Sequence, residues 1–368
     1  MRKTFTIAAI VAIAFLFTCP ETSSQETIGE LIDVAGLREG PVAMRDVDGW
    51  DTSRKIIVRD IGFSVADMNE RFGDDGLVLV SSLNEALQQV QDAGAVVGYC
   101  NARVLADAPH LAWIQIYSAG AERCLGVEQA RRDNLVLTNM QKMSSPVIAE
   151  HALAMLLALV RKLPEFNDNM AQGVWRGWGH TEGMTTVSGK TMLVLGLGGI
   201  GSEIARRGAA LGMRVVGTRN SSREGPDFVD YVGLAHEAID LARDADVIVN
   251  ALPLTDKTRG MLGNEFFSTE FAKTPYFINV GRGATVDTQA LLEALQAGRL
   301  AGAGLDVTDP EPLPPEHELW RQDNVIITPH ISSAGGDSAR RILLVQENIR
   351  RYLAGDALLN VVDPERGY

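Results

Sequence analysis

The stretch Gly196-Leu197-Gly198-Gly199-Ile200-Gly201 decides the fold of this chain, because the apolar run Thr191–Leu195, typical of a β-strand, precedes it and a helical pattern follows it. In this context Gly196 allows a tight turn, Gly198 lets a ligand approach the backbone, and Gly201 lets the helix pack closely on the strand. Free N–H groups at the start of such a helix bind phosphate. The pattern predicts a dinucleotide-binding turn, and the alternative is a glycine-rich turn without a ligand.

The residues after the next predicted strand, Arg214–Val216, indicate which dinucleotide binds. An NAD site normally has an aspartate or glutamate here, which accepts hydrogen bonds from the ribose 2′-hydroxyl. The segment Gly217–Arg223 contains no carboxylate. Arg219, as the leading charge partner, and Arg223 can instead pair with a 2′-phosphate. The neighbouring polar residues predicted to contribute are Asn220, Ser221 and Ser222. The sequence therefore favours NADP, and the alternative is a pair of solvated arginines in a site that accepts NAD as well.

Short strand patterns alternate with helical patterns along the chain, which is typical of parallel sheets with helices on both faces. The first series of predicted strands is Lys55–Val58, Leu77–Val80, Ala95–Tyr99, Ala112–Tyr117 and Leu135–Thr138. The second series is Thr191–Leu195, Arg214–Val216, Asp246–Asn250, Tyr276–Val280, Ala303–Val307 and Val325–Thr328. We therefore predict an α/β protein with two doubly wound parallel-sheet domains.

The boundary between these domains is predicted near Ser145, where Ser144-Ser145-Pro146 can start a helix that is apolar on all sides and therefore buried. A last amphipathic helix begins at Ser338 and stops at Gly355, too far past the second series to belong to it. We expect this helix to return to the first domain. The prediction is a Rossmann dinucleotide-binding domain, residues 145–330, inserted in a flavodoxin-like substrate domain of residues 25–144 and 331–368.

The composition is that of a globular protein, with 46% hydrophobic and 22% charged residues among 368. The formal net charge of −13 repels phosphate backbones, so we expect no nucleic-acid partner. The three cysteines, Cys19, Cys100 and Cys124, show no CxxC spacing. We predict neither a disulfide framework nor a metal site, and we interpret Cys100 as an unreactive free thiol.

Residues 1–24 have the three-part pattern of a secretory signal peptide. Arg2-Lys3 precedes the apolar run Ile7–Phe17, and a polar stretch follows with a predicted cleavage site near Ser24. The run is shorter than the roughly 20 apolar residues that a membrane-spanning helix needs, so we expect no stable membrane span. If the leader is real the protein is exported or periplasmic. The alternative is a start codon assigned too far upstream and a cytoplasmic protein.

Three predicted strand ends of the second series carry side chains suited to the reduction of a carbonyl group. Arg282 stands between two glycines, and its guanidinium can bind a carboxylate through two hydrogen bonds. Glu311 lies in a segment stiffened by prolines, and His330 follows the last strand. Taken singly, such residues are usually a solvated arginine, a surface glutamate and a packed histidine. Because parallel strands end at one edge of a sheet, where such folds bind ligands, we predict a catalytic site formed by all three.

These motifs resemble those of the D-isomer-specific 2-hydroxyacid dehydrogenase family, including its glyoxylate and hydroxypyruvate reductase branch. The matching stretches follow the family's order: Ala149–Leu153, Gly196–Gly201, Asn250–Thr255 with Thr258, Asn279–Gly283, Leu305–Pro312 and Thr328–Ser333. Glu311 weighs against the formate dehydrogenase branch, which resembles this chain but carries glutamine in that role. The resemblance implies an enzyme that transfers hydride between a nicotinamide dinucleotide and a small 2-keto or 2-hydroxy acid.

The resemblance also implies roles for individual residues. His330 would protonate the carbonyl oxygen of the substrate, Glu311 would orient the imidazole, and Arg282 would hold the substrate carboxylate and polarise the carbonyl. The residues implied in cofactor binding are Gly196, Gly198, Gly199, Ile200, Gly201, Leu252, Pro253, Thr258, Val280, Gly281 and Asp306. For Asp306 the alternative is a turn residue at the end of a strand.

Two loops of the first domain resemble loops that bind the substrate carboxylate through backbone N–H groups. One contains Gly98 and Tyr99, and the other is Ser118-Ala119-Gly120. Tyr99, Cys100 and Glu122, the last at a position where aspartate is frequent, depart from the common pattern and leave the identity of the substrate open. A core or rim position for both loops is the alternative.

We therefore predict an NADP-preferring enzyme that reduces a small 2-keto acid to the D-2-hydroxy acid. Trp175 and Trp178 follow the apolar helix, where the family usually dimerises, so the resemblance implies a homodimer; a position beside the substrate is the alternative for both tryptophans. One alternative is a non-catalytic dinucleotide-sensing protein similar to the corepressors of the same family. Another is a dehydrogenase of a different substrate, such as phosphite.

Overall fold

The computed structural model of the protein describes residues 27–73, 76–220, 222–336 and 338–367. The predicted leader, residues 1–24, and the predicted cofactor residue Ser221 lie outside the described residues. No helix within the described ranges is both long and apolar enough to cross a membrane.

The N-terminal part of the chain forms a five-stranded parallel sheet with helices between its strands. The first strand of this part of the chain lies outside that sheet. Its elements are α1 (Ile28–Ala35), β1 (Glu39–Ala43), β2 (Lys55–Arg59), α2 (Val65–Phe72), β3 (Leu77–Val80), α3 (Leu83–Leu87), β4 (Ala93–Val97), α4 (Ala102–Asp107), β5 (Trp113–Gln115), α5 (Glu122–Leu125) and β6 (Val136–Thr138). The strand order β3-β2-β4-β5-β6 is the order of a flavodoxin-like sheet, which confirms the predicted class.

The rest of the chain forms a seven-stranded parallel sheet and then returns to the first. Its elements are α6 (Ser145–Val160), α7 (Leu163–Ala171), β7 (Thr191–Leu195), α8 (Gly199–Ala210), β8 (Arg214–Arg219), β9 (Tyr231–Leu234), α9 (Ala238–Arg243), β10 (Val247–Asn250), α10 (Asn264–Phe267), β11 (Tyr276–Asn279), α11 (Thr288–Gln296), β12 (Gly302–Leu305), β13 (Val325–Ile327), α12 (Ser338–Ala354) and β14 (Ala357–Leu359). The order β13-β12-β11-β10-β7-β8-β9 extends the Rossmann order by one strand.

The second sheet is covered on both faces, as its nearly continuous apolar strands require. Leu193 and Leu195 of β7 pack into a core that α11 helps to form, while Met192 and Val194 pack into a core with α6 and α8. Successive residues of a strand point to opposite faces, so β7 is buried on both sides. The sheet is therefore doubly wound, as predicted.

The last helix packs on the first sheet. Leu344, Val345 and Ile349 of α12 lie in one core with Ile56 and Val58 of β2. β14 then pairs antiparallel with β1, so both ends of the described chain meet on this side of the molecule. The exact domain limits at residues 144/145 and 330/331 stay a prediction.

Several strand limits differ from the predicted ones. β4 ends at Val97 rather than Tyr99, because Gly98 has a φ of +94° and turns the chain out of the sheet. The second sheet has seven strands rather than six, since β9 was not predicted. The antiparallel pair of β1 and β14 was also missed. None of these differences moves a predicted catalytic residue away from its strand end.

Candidate active site

The glycine loop joins β7 to α8 at the point where the strand order reverses, since β7 pairs with β8 on one side and β10 on the other. Gly196 has a φ of +92°, a conformation that favours glycine. A Cβ on Gly201 would lie 2.0 Å from the carbonyl oxygen of Gly196, whereas a Cβ on Gly198 would meet no atom within 4 Å. Packing therefore requires glycine at position 201, and the open space at Gly198 fits a pyrophosphate group.

Arg219 ends β8 beside this loop, and its Nε is buried without a hydrogen-bond partner among the described residues. Buried N–H groups normally have partners, so this one fits a site that an anion completes. Lys142, which the sequence did not identify, also lies at the loop, since a Cβ on Gly199 would be 2.8 Å from its Cγ. Burial lowers the pKa of Lys142, and the positive charges of Arg38 and Arg219 lower it further. Two cations thus stand where phosphate groups are expected.

Arg223 differs from Arg219 because it already has partners. Its Nη2 lies 2.9 Å from Glu237 Oε2, and its Nη1 donates to the Tyr231 hydroxyl at 2.8 Å. The paired Glu237 largely neutralises its charge. Asn220 is exposed directly after β8. The structure therefore favours Arg219, rather than Arg223, as the charge available to a 2′-phosphate.

Two buried asparagines connect the loops that follow β10 and β11. Asn250 Nδ2 donates to Asn279 Oδ1 at 3.0 Å and to Thr285 Oγ1 at 2.8 Å. Asn279 Oδ1 also accepts the N–H of Gly281 at 3.2 Å, and Asn250 Oδ1 accepts that of Leu252 at 3.2 Å. A Cβ on Gly281 would lie 2.8 Å from the carbonyl oxygen of Leu252, so the two loops touch. Glycine is needed where these predicted cofactor-lining loops meet.

The remaining predicted cofactor residues of these loops act in different ways. Thr258 Oγ1 donates to the carbonyl oxygen of Pro253 at 2.6 Å and accepts the N–H of Thr255 at 2.8 Å, which holds the loop after β10 closed. Val280 is buried in the core beneath the sheet edge. Its side chain packs inward, so only its backbone is available at the edge.

Arg282 follows β11 and forms an ion pair with Glu122, the first residue of α5. Its Nε donates to Glu122 Oε1 at 2.9 Å, and its Nη1 donates to the carbonyl oxygen of Gly281 at 2.9 Å. Burial alone would raise the pKa of Glu122, but the charge of Arg282 and hydrogen bonds from Arg282 and its own backbone lower it more. The pKa of Glu122 therefore lies below its usual value, and the carboxyl group is ionised at neutral pH.

His330 and Glu311 form a close polar pair beyond the ends of β13 and β12. His330 Nδ1 lies 2.7 Å from Glu311 Oε1, and the two side chains are 44% and 39% exposed. Because β11, β12 and β13 are neighbours in the sheet, Arg282, Glu311 and His330 all lie at its carboxyl edge. The structure places the three residues predicted to be catalytic at one edge of the sheet, with only His330 and Glu311 in direct contact among them.

Asp306 holds the turn that carries His330. Its Oδ1 accepts from Thr328 Oγ1 at 2.7 Å and from the N–H of Ile331 at 2.9 Å, and its Oδ2 accepts the N–H of Ser332 at 3.1 Å. Burial alone would raise its pKa, but hydrogen bonds from the side chains of Ser332 and Thr328 and from the backbone lower it more. Asp306 is thus buried and ionised, and it holds the turn in place. This agrees with the alternative that Asp306 is a turn residue at the end of a strand. A contact between Asp306 and the cofactor stays a prediction.

The loop around Gly98 packs against the first sheet. A Cβ on Gly98 would lie 2.6 Å from the Cβ of Arg59 and 2.7 Å from Cε2 of Tyr117. The guanidinium carbon of Arg59 lies 5.5 Å from the centre of the Tyr99 ring, a cation–π contact. The Tyr117 hydroxyl donates to the carbonyl oxygen of Arg59 at 2.6 Å. These contacts fix the backbone of the predicted substrate loop.

Cys100 and Cys124 form a disulfide bond, so the prediction of an unreactive free thiol at Cys100 was wrong. The Cα atoms are 5.4 Å apart, within the range that a disulfide bridges. The two cysteines are 24 positions apart in the chain, and neither neighbours a second cysteine that would have indicated pairing. The bond ties the Gly98 loop to α5, the helix that begins with Glu122.

Other groups near the site were also missed. Glu122 was noted only as a departure from a pattern, and its pairing with Arg282 joins residues 160 positions apart. His151 Nε2 lies 2.9 Å from Thr328 Oγ1, so a residue of the Ala149–Leu153 stretch supports the turn before His330. Within the described ranges, no group of three or more histidine, cysteine, aspartate or glutamate residues could hold a metal ion.

Comparison with known proteins identifies the class to which this fold and site belong. The family model of the D-isomer specific 2-hydroxyacid dehydrogenase NAD binding domain matches residues 153–332. The chain is 34% identical over 292 residues to a glyoxylate reductase of Aeropyrum pernix, covering 76% of this chain and 85% of the relative. The chain therefore belongs to the D-isomer specific 2-hydroxyacid dehydrogenase family, and it is an NAD(P)-dependent oxidoreductase.

Solved structures agree with this assignment. A D-isomer specific 2-hydroxyacid dehydrogenase from Xanthobacter autotrophicus, in complex with NADPH and MES, has a TM-score of 0.72 at 27% identity and covers 86% of this chain and all of its own. An NADPH-dependent glyoxylate/hydroxypyruvate reductase from Sinorhizobium meliloti, in complex with NADP and sulfate, has a TM-score of 0.72 at 26% identity, with the same coverage.

Proposed function

We propose that this protein is an NADP-preferring reductase that converts a small 2-keto acid of the glyoxylate or hydroxypyruvate type into the D-2-hydroxy acid. The observation that carries the proposal is the 2.7 Å contact between His330 Nδ1 and Glu311 Oε1. It fixes the imidazole and leaves Nε2 as the nitrogen that gives a proton to the substrate carbonyl oxygen. In the reverse direction the same nitrogen takes the proton from the hydroxyl group.

The glycine loop and Arg219 hold the dinucleotide, which supplies the hydride when bound. The free N–H groups at the start of α8 bind the pyrophosphate, and the space at Gly198 allows its approach. Arg219, with its unpartnered Nε, pairs with the 2′-phosphate, and Lys142 adds positive charge. The preference for NADP is supported by the lack of a carboxylate in Gly217–Arg223 and by the two solved relatives that contain NADPH or NADP.

Arg282 holds the carboxylate of the substrate and stabilises the negative charge that develops on the carbonyl oxygen. Backbone N–H groups of the loops at Gly98 and Tyr99 and at Ser118-Ala119-Gly120 complete the carboxylate site. The Arg59–Tyr99 contact and the disulfide hold the first of these loops. The intact set of Arg282, Glu311 and His330 argues against a protein that only senses the dinucleotide, because such a protein has no use for a proton relay.

The test is the decay of NADPH absorbance with glyoxylate, hydroxypyruvate, pyruvate and phenylpyruvate, repeated with NADH and with phosphite plus NAD or NADP. We expect turnover of at least one short 2-keto acid, with a higher kcat/KM for NADPH than for NADH. Arg219→Ala should reduce that cofactor ratio about tenfold or more, because a charged hydrogen bond to the phosphate is lost. Tight NADPH binding without turnover of any 2-keto acid would contradict the proposed reaction. Turnover of phosphite alone would replace it.

We further propose that the protein is a homodimer formed through the segment after α7. Trp175 and Trp178 are 97% and 93% exposed in the single chain, far more than large aromatic side chains usually are. Light scattering of the wild type should give the mass of two chains. A Trp175→Ser/Trp178→Ser double variant should shift that mass toward one chain, and an unchanged mass would contradict this interface.

A further inference from the structure

Glu122 brings a fixed negative charge to the group that holds the substrate carboxylate. We propose that Glu122 is a specificity-determining residue, which excludes 2-keto acids with a second negative charge on C3 and favours those with a neutral hydrogen-bond donor there. The inference rests on the proposed function, since it takes Arg282 as the carboxylate-binding group. It adds the class of substrate that the same site selects.

The charge of Glu122 is the first step of the argument. Its carboxylate accepts from Arg282 Nε at 2.9 Å, and its pKa lies below the usual value. The positive charge of Arg282 is therefore balanced before any substrate arrives. A substrate with one carboxylate adds one negative charge to a neutral pair, and a dicarboxylate adds two. Like charges set against each other in a partly buried site oppose binding strongly.

The accessibility of Glu122 is the second step. Its side chain is 35% exposed although it is ion-paired, so the side chain is open to a ligand on one side. In a short 2-keto acid the group on C3 lies within a few bonds of the C1 carboxylate. Once Arg282 holds C1, that group is close to Glu122. A hydroxyl group can donate to the carboxylate, a methyl group cannot, and a carboxylate is repelled.

The fixed position of Glu122 is the third step, since a mobile carboxylate would turn away from an unwelcome substrate. A Cβ on Gly120 would lie 2.0 Å from Arg282 Nη2 and 2.3 Å from Glu122 Oε2, so the ion pair fills the space against this glycine. Cys124, two positions after Glu122, is bonded to Cys100 in the Gly98 loop. α5 is thus covalently tied to the other predicted substrate loop.

Three substrates that differ only in the group on C3 test the inference: hydroxypyruvate, 2-ketobutyrate and oxaloacetate, which carry a hydroxyl, a methyl and a carboxylate. We expect wild-type kcat/KM with NADPH to be about 100-fold higher for 2-ketobutyrate than for oxaloacetate. Hydroxypyruvate should exceed 2-ketobutyrate roughly tenfold. Glu122→Gln should bring oxaloacetate within about tenfold of 2-ketobutyrate, chiefly through its KM. Glu122→Asp, which keeps the charge, should retain discrimination against oxaloacetate.

The outcomes of these assays distinguish a failure of this inference from a failure of the proposed function. Wild-type discrimination that Glu122→Gln removes and Glu122→Asp retains supports the role of Glu122. Turnover of 2-keto acids with the same selectivity in all three proteins overturns it and leaves the proposed function standing. If Glu122→Gln does not fold, a wild type that reduces oxaloacetate as well as 2-ketobutyrate still overturns it. A wild type that turns over none of the three removes both.

Discussion

At the scale of single residues, His330 is expected to affect turnover and Arg282 to affect both binding and turnover. His330→Gln removes the proposed proton donor, so kcat should fall about 10²- to 10⁴-fold with little change in KM. Arg282→Gln should lower kcat and raise KM, because it removes the proposed partner of the substrate carboxylate. Steady-state kinetics with NADPH and the best 2-keto acid measure both. His110→Gln, at an exposed histidine away from the sheet edge, is the matched control.

A wild-type kcat in His330→Gln would show that another group moves the proton. An unchanged KM in Arg282→Gln would show that the carboxylate binds elsewhere.

Asp306 is expected to make the free energy of unfolding depend on pH. Its pKa in the folded protein lies below the unfolded value of about 3.9, so its contribution is complete above that value and is lost as pH falls through the lower folded pKa. Urea unfolding between pH 6 and pH 3 should therefore show a steeper loss of unfolding free energy in the wild type than in Asp306→Asn. The variant should also be less stable at pH 6, because the four donors around Asp306 lose an ionised acceptor. Parallel pH profiles of the two proteins would contradict this role.

The sequence predicted which functional residues follow strands of one sheet. It did not predict which side chains from the two domains contact each other. Arg282, Glu311 and His330 could be grouped because the carboxyl ends of parallel strands meet at one edge. The pairing of Arg282 with Glu122 could not be derived, since it depends on how loops from two sheets approach each other. Lys142 gave no signal either, because its position at the glycine loop follows from packing and not from a motif.

At the scale of elements, two glycines in the turn from β7 to α8 are expected to have different roles, Gly201 in packing and Gly198 in cofactor binding. Gly198→Ala should leave the melting temperature almost unchanged, because the added Cβ meets no atom, yet it should weaken NADPH binding at least tenfold by blocking the pyrophosphate. Gly201→Ala should lower the melting temperature by several degrees, because its Cβ would lie 2.0 Å from the carbonyl oxygen of Gly196. Thermal melts and calorimetric titration with NADPH compare the two. Equal effects of both variants on stability would contradict this division.

The central strands of both sheets were predictable because they are short apolar runs bounded by turns. Two of the missed strands, β9 and β1, lack that signal. β9 is an edge strand of four residues that includes a glycine, and β1 contains both a glycine and a proline. Their pairing is decided by the neighbouring strand, which a local pattern does not show.

At the scale of the whole molecule, the Cys100–Cys124 disulfide connects stability with the compartment of the protein. Closing a loop across 24 positions should stabilise the fold by about 3 kcal/mol. Urea unfolding with and without a phosphine reductant should show this difference in the wild type and none in a Cys100→Ser/Cys124→Ser variant. Equal stability of the oxidised and reduced wild type would contradict the prediction.

Disulfides persist mainly in oxidising compartments, so the bond fits the alternative in which the predicted leader is real and the protein is exported; both alternatives stay predictions. The two cysteines could not be paired from the sequence, because their proximity follows from the packing of α5 against the Gly98 loop.

The structure also shows where unpaired positive charge lies in a chain whose net charge is −13. Arg223 and Arg282 have carboxylate partners, whereas Arg219, with Lys142 beside it, has none among the described residues.

The most direct test of the proposed reaction is to identify its product. Purified protein is incubated with NADPH and hydroxypyruvate, NADPH consumption is followed by absorbance, and the product is resolved by chiral chromatography. We predict one D-glycerate for each NADPH consumed in the wild type, and a rate of D-glycerate formation about 10²- to 10⁴-fold lower in His330→Gln. Formation of L-glycerate, or NADPH consumption that His330→Gln leaves unchanged, would contradict a D-specific reduction that depends on His330 and Glu311.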